Sequence, residues 1–123
     1  MSWENFKLEE FACKHCGKNE ISHDLIDKLQ ELREECEFPF IVTSGYRCSE
    51  HPAEINKDKP GMHAKGLAVD ILVSGSQAYE VVSAAPSFGF TGIGVNQKGK
   101  DRFIHLDING DKNGKIRPYI WSY

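Results

Sequence analysis

No apolar run in this sequence approaches the length of a membrane span, so we expect no transmembrane segment. Basic residues are not in excess: 15 Lys and Arg stand against 18 Asp and Glu, and the net charge of -3 indicates no surface suited to nucleic acid. The N-terminus lacks a basic segment followed by an apolar one, so we expect no signal peptide. Such a protein stays in the cytoplasm unless another route releases it.

The length of 123 residues predicts a single domain over residues 1–123, which we expect to be a monomer. Hydrophobic periodicity predicts helices over about 23–36, capped by Ser22, and about 76–85. Strands are predicted over 40–43, 67–73, 90–95, 101–108 and 116–121. This order is typical of an α+β fold with helices on one side of a mostly antiparallel sheet. The other face of the sheet is then free to carry a cleft.

Only four cysteines are present, and without a secretion signal they argue against a disulfide framework. Two spacings are typical of zinc ligands, namely the C-x-x-C of Cys13 and Cys16 and the C-x-x-H of Cys48 and His51. These four residues form a candidate structural zinc site, with free buried thiols or an opportunistic disulfide as alternatives. Cys36 falls on the apolar face of the first predicted helix.

Asp70 lies inside the apolar run 67–73, which predicts a buried strand. A carboxylate there is costly unless a cation or several donors compensate it. Together with His63 and His105 it is a sufficient ligand set for a catalytic zinc ion. Asp70 and His105 converge if their strands are neighbours, because a strand presents every second side chain on one face. The alternative is that Asp70 caps a turn and the histidines are incidental.

Two further features concern the neighbourhood of these residues. Arg47 follows a glycine-containing turn at a strand end, where a fixed guanidinium can hold a carboxylate or polarise a carbonyl; a surface arginine is the alternative. The predicted strand 90–95 contains Gly92 and Gly94, and glycines inside a strand permit a close backbone approach or a bulge.

Three ordered segments, 43–48, 63–71 and 103–107, resemble the zinc D-alanyl-D-alanine carboxypeptidases. The similarity is closest to small single-domain members of bacterial cell-wall metabolism and phages, and it extends from about residue 11 to residue 121. It implies a hedgehog/DD-peptidase-like fold and zinc bound by His63, Asp70 and His105. It also implies that Arg47 contacts the carbonyl or terminal carboxylate of a peptidoglycan stem peptide.

The same resemblance leads us to look for a general base near the last histidine. Many members of the family have a glutamate or histidine just before that ligand, whereas this chain has Asp101 and Arg102 nearby. Asp107 shares a strand face with His105 and is the predicted base, with Asp101 as the alternative. Asp107 is equally suited to orient His105 from behind.

The resemblance therefore predicts a zinc metallopeptidase that hydrolyses peptidoglycan peptide, either as a D-Ala-D-Ala carboxypeptidase or as an L-Ala-D-Glu endopeptidase. Zinc would activate water and polarise the scissile carbonyl. An enzyme of phage or prophage type would be released from the cytoplasm to act on the cell wall. The alternatives are a non-catalytic zinc-containing module that binds murein or a protein, and a phage structural component.

Overall fold

The computed structural model describes residues 2–123, and its centre is a five-stranded sheet. The strands are β1 (Val42–Ser44), β2 (Ala68–Leu72), β3 (Gly92–Asn96), β4 (Phe103–Asp107) and β5 (Tyr119–Ser122), in the order β1-β2-β4-β3-β5. All neighbouring strands are antiparallel except β3 and β5. The predicted α+β class with a mostly antiparallel sheet is confirmed.

The last strand differs from the antiparallel run that its position in the sequence suggested. β4 already pairs with β2 on one side and β3 on the other, so the chain that leaves β4 has no free edge beside it. It crosses to the outer edge of β3, where it runs parallel to that strand. This crossover carries the aromatic residues of β5 to the same side of the sheet as the β4 side chains discussed below.

The two helices are α1 (His23–Cys36) and α2 (Gly75–Ala84). The Ser22 hydroxyl accepts the backbone N–H of Leu25, which caps α1 where the sequence predicted its start. The helices contact one another, and α2 contacts β4. Within the described residues, neither helix has the length and apolarity needed to traverse a bilayer.

The two faces of the sheet differ in chemistry because side chains alternate along each strand. Val69 and Ile71 of β2, together with Ile104 and Leu106 of β4, are fully buried in the hydrophobic core. The intervening positions point to the opposite face and carry the polar residues Asp70, His105 and Asp107. The apolar face thus anchors the sheet, and the polar face carries the candidate site.

Candidate active site

Three side chains from separate parts of the chain meet on the polar face of the sheet. Asp70 of β2 is the register partner of His105 of β4, and His63 comes from the loop before β2. His63 Nε2 lies 3.2 Å from Asp70 Oδ1, and His105 Nδ1 lies 3.1 Å from Asp70 Oδ1 and 3.2 Å from His63 Nε2. All three residues are buried. The structure therefore brings the predicted ligand set together.

Hydrogen bonds behind the two imidazoles decide which ring nitrogens carry protons. His63 Nδ1 lies 2.8 Å from the Gly45 carbonyl oxygen, which only accepts, so Nδ1 is the donor. His105 Nε2 lies 2.8 Å from Asp107 Oδ2 and donates to that carboxylate. In neutral rings the nitrogens that face each other are then unprotonated, and both also face Asp70 Oδ1. Three lone pairs converge, an arrangement that a cation would stabilise.

The spacing of the three atoms fits a zinc ion. Nitrogen and oxygen ligands lie about 2.0–2.2 Å from zinc, which places tetrahedral ligands roughly 3.3–3.5 Å apart. The observed separations of 3.1–3.2 Å are only slightly shorter. Three protein ligands leave the fourth position for water or substrate, which is typical of catalytic zinc rather than structural zinc.

The protonation of these groups follows from burial and from their neighbours. Burial raises the pKa of Asp70, but hydrogen bonding to His105 and His63 outweighs it, so the pKa lies well below its ordinary value. Burial lowers the pKa of His105, but the carboxylates of Asp107 and Asp70 outweigh it and raise the pKa. A proton on His105 therefore neutralises the same cluster that a metal would, and the two compete for it.

Asp107 lies behind His105 and is completely buried. Its Oδ2 accepts from His105 Nε2 and Arg117 Nη2, each at 2.8 Å, and its Oδ1 accepts from Arg117 Nε at 2.9 Å. Burial raises the pKa of Asp107, but His105 and Arg117 outweigh it and lower the pKa. Both carboxylate oxygens are thus occupied on the side of His105 away from Asp70. Asp101 is exposed and does not line the cleft described below.

The glycines of β3 make room for this arrangement. A Cβ atom at Gly92 would overlap the Asp107 carboxylate, and one at Gly94 would lie 2.8 Å from the Trp121 ring. The Trp121 ring packs beside His105 with their centroids 5.0 Å apart, and the Arg117 guanidinium lies 5.2 Å from the Trp121 centroid. Of the two uses expected for these glycines, the structure shows a close approach, made by side chains against the β3 backbone.

A cleft of about 490 Å³ lies over the three converging side chains. Its wall is formed in part by aromatic residues and in part by cationic ones: Phe103, Tyr119, Trp121 and Tyr123, and Arg47, Lys57, Lys115 and Arg117. Among the described residues, the only carboxylates in the lining are Asp70 and Asp107. Four cationic side chains therefore face two carboxylates in the lining, although the chain as a whole is acidic.

Arg47 stands at this cleft beside Asp70. Its Nη2 lies 3.5 Å from Asp70 Oδ2, its Nη1 lies 3.7 Å from Glu54 Oε2, and its Nε donates to Ser44 Oγ at 3.1 Å. The Glu54 carboxylate also accepts from Lys57 Nζ at 2.9 Å. Three side chains therefore hold the guanidinium, and 20% of the Arg47 side chain remains exposed.

Comparison with known protein families decides the affiliation of the chain. The family model of peptidase M15 matches residues 4–107. The chain belongs to the peptidase M15 family. The resemblance drawn from the three motifs is thereby confirmed, and the family is one of zinc-dependent metallopeptidases related to D-Ala-D-Ala carboxypeptidases. A search of curated proteins found no match.

Several residues of this M15 site were not identified from the sequence. Arg117 and Trp121 lie beyond the segment that the family model matches, and Glu54 lies in a polar loop. Arginines before a strand and acids in loops are common on surfaces, so the sequence pattern assigns no role to Arg117 or Glu54. The one signal was indirect: Asp107 inside an apolar strand requires a cation, and Arg117 supplies it.

The cysteine cluster lies elsewhere on the M15 domain. The sulfur atoms of Cys13, Cys16 and Cys48 lie within 4.8 Å of one another. Among the described residues, His51 is not in that group, whereas His15 Nδ1 lies 3.6 Å from Cys48 Sγ. None of these residues lines the cleft over His63, Asp70 and His105.

Proposed function

We propose that this M15 protein is a zinc-dependent peptidase that hydrolyses a peptide bond in peptidoglycan stem peptides. The observation that carries the proposal is the convergence of His63 Nε2, Asp70 Oδ1 and His105 Nδ1 in a cleft, with the ring protons directed away from the shared point. Membership of a metallopeptidase family supports hydrolysis as the reaction.

His63, Asp70 and His105 would hold the ion. Zinc in such a site supplies a Lewis acid that polarises a carbonyl and lowers the pKa of water. The ligand set contributes one negative charge, from Asp70, because both imidazoles bind in their neutral form. A bound divalent ion would thus leave the site with a net positive charge, which suits the oxyanion that develops during amide hydrolysis.

We infer that Arg47 binds the substrate carbonyl or a terminal carboxylate. Ser44 and Glu54 hold its guanidinium before substrate arrives, so little side-chain freedom is lost on binding. Replacing Arg47 by glutamine should lower kcat/KM by about 100–1,000-fold, the usual effect of removing one such donor. The matched control is Arg102→Gln, since Arg102 is exposed and outside the cleft. Equal turnover by the two variants would contradict this role.

We propose that Asp107 positions His105 and does not act as the general base. Its two oxygens are occupied by His105 and Arg117, and it accepts the His105 ring proton that keeps Nδ1 free for zinc. Asp107→Asn should therefore weaken zinc binding by about 10–100-fold. Unchanged zinc affinity with kcat reduced in zinc-saturated enzyme would instead identify Asp107 as the base.

The lining of the cleft supports a stem-peptide substrate. Stem peptides carry carboxylates near the bonds that such family members cut, at the terminal D-alanine or at the α-carboxyl group of D-glutamate. Arg47, Lys57 and Lys115 supply positive charge around the ligand set. The aromatic rings on β5 provide an apolar wall for the short alanyl side chains. Both the carboxypeptidase and the endopeptidase assignments fit this lining.

The decisive experiment is incubation of the zinc-loaded protein with purified muropeptides, followed by mass spectrometry. Release of a terminal D-alanine identifies a carboxypeptidase, and cleavage between L-alanine and D-glutamate identifies an endopeptidase. His63→Ala should abolish both zinc binding at this site and turnover. His23→Ala is the matched control, because His23 lies at the start of α1 away from the cleft. Turnover by the zinc-free His63→Ala variant would refute the proposal.

A non-catalytic binding module is the second candidate. It is favoured by one observation: apart from the ligand Asp70, the only lining carboxylate among the described residues is Asp107, whose oxygens are already engaged. Such a module would retain zinc and bind muropeptides without cleaving them. Calorimetric binding of an intact muropeptide that remains uncut after prolonged incubation would select this candidate.

A further inference from the structure

We propose that Cys13, Cys16 and Cys48 bind a second, structural zinc ion, which links the N-terminal segment to the chain that follows β1. The three sulfurs come from two separate segments and lie within 4.8 Å of one another. Tetrahedral zinc with sulfur ligands at about 2.3 Å requires sulfur atoms roughly 3.8 Å apart. The sulfur separations in the structure are thus at most about 1 Å longer than a bound zinc ion requires.

The backbone around Cys13 is arranged to accommodate a thiolate. The Cys48 N–H donates to Cys13 Sγ at 3.3 Å, which joins the two segments at the cluster itself. Within the first segment, the Gly17 N–H donates to the Cys13 carbonyl at 2.8 Å, and Gly17 adopts a left-handed conformation with φ of 80°. This turn directs Cys13 and Cys16 towards one point.

The number of sulfurs also favours a metal over a disulfide. All four cysteines are free in the structure, and any single disulfide among the three would leave the third thiol beside it. Several thiolates in one place are the donor set that a soft or borderline ion such as zinc selects. Cys36 belongs to α1 and does not join the group, so it serves as an internal reference.

A ring nitrogen completes the set, and two histidines stand beside it. His15 Nδ1 lies 3.6 Å from Cys48 Sγ, close to the roughly 3.5 Å expected between sulfur and nitrogen ligands of one zinc ion. The ring of His51 lies 6.2 Å from that of His15, but its Nδ1 accepts the Ala53 N–H at 3.0 Å, so its neutral ring carries the proton on Nε2 and His15 is the better placed ligand.

The location of the cluster suggests its purpose. Cys48 directly follows Arg47, and the Tyr46 N–H donates to the Phe11 carbonyl at 2.8 Å, just before the Cys13 turn. An ion at the cluster would therefore hold the segment that carries Arg47 against the N-terminal segment. The role is structural, because the cluster does not line the cleft.

Metal analysis of the full chain tests the proposal independently of activity. The wild-type protein, purified with zinc under reducing conditions, should hold two zinc ions per chain, and Cys16→Ser should hold one. Cys16 is exposed, so its replacement removes a ligand without opening the core, and Cys36→Ser is the control that keeps both ions. His63→Ala should lose the other ion, so failure at either site is distinguishable.

Cobalt substitution identifies the ligands directly. Thiolate-to-cobalt charge transfer in the near ultraviolet should be present in the wild type and in His63→Ala, and weakened in Cys16→Ser. Zinc affinity is measured for His15→Ala and for His51→Ala separately. The variant with the lower affinity identifies the imidazole ligand, and unchanged affinity in both rules out an imidazole ligand. Equal zinc content in the wild type and Cys16→Ser, or charge transfer that Cys16→Ser leaves unaltered, would overturn the second site.

Discussion

Replacing Arg117 by methionine should destabilise the protein and weaken its binding of zinc. The Asp107 side chain has no exposed surface and that of Arg117 is only 8% exposed, so the substitution leaves a buried carboxylate without its cation. Removing one partner of a buried ion pair costs about 3–5 kcal/mol. Because His105 still donates to Asp107, we expect the lower end, about 3 kcal/mol, which corresponds to a loss of about 10 °C in Tm.

The same substitution should also lower zinc affinity, because it acts on the ligand His105. Without Arg117, the Asp107 carboxylate is free to move or to take up a proton, and it then no longer holds the His105 ring in the tautomer that leaves Nδ1 unprotonated. Loss of such an outer partner lowers metal affinity by about 10–100-fold. Arg117→Lys keeps the charge but loses the bidentate hydrogen bonding, so its stability and zinc affinity should lie between those of the wild type and Arg117→Met.

Urea unfolding of the metal-free protein measures the stability change, and competition with a chromophoric chelator measures zinc affinity. The control is Arg102→Met, because Arg102 is exposed and its Nε donates to the Gly99 carbonyl, away from Asp107. It should leave both quantities within about 0.5 kcal/mol of the wild type. If Arg117→Met had the same stability and zinc affinity as this control, the proposal that Asp107 positions His105 would be refuted.

Gly92→Ala should lower stability by about 1–3 kcal/mol and also weaken zinc binding, because the added Cβ would displace the Asp107 carboxylate. An unchanged urea midpoint and an unchanged zinc affinity in chelator competition would contradict this prediction. Burial raises the pKa of Glu54, but hydrogen bonds from Lys57 and from the Gly61 N–H outweigh burial and lower the pKa below 4.5. The ionised Glu54 carboxylate therefore stabilises the folded protein, and this contribution is lost as the pH falls through the lowered pKa. Urea titrations below about pH 5 should therefore show a steeper loss for the wild type than for Glu54→Gln, and parallel curves would argue against it. Removal of zinc by a chelator should lower Tm, and added zinc but not magnesium should restore it. A ligand at 100 times its Kd stabilises the folded protein by about 2.7 kcal/mol, so an unshifted melting curve would exclude a tightly held ion.

Local patterns were sufficient for most of the secondary structure. The start and end of α1 agree with the prediction because a serine cap and a helical apolar spacing act within one or two turns. β2 and β4 lie within their predicted ranges because both are apolar runs bounded by polar turns. The pairing of β5 could not be predicted in this way, since it depends on which sheet edge the other strands leave free.

The candidate site was predictable only in part. His63, Asp70 and His105 were identifiable because an acid in a buried strand demands compensation and imidazoles are suitable partners. Their arrangement around a shared point depends on the register that pairs Asp70 with His105. The surroundings of Asp107 were out of reach, because its partner Arg117 arrives through the crossover after β4.

By itself, the sequence determined the types of donor available, their alternation along the strands and the membership of a metallopeptidase family. Tertiary structure alone decided that Asp107 stands behind His105, that Arg117 neutralises it, and that Cys48 joins Cys13 and Cys16. The physical reason is range. Alternation and capping act between neighbours in the chain, whereas ion pairs and metal ligands act through space, between segments that approach one another only when the sheet has formed.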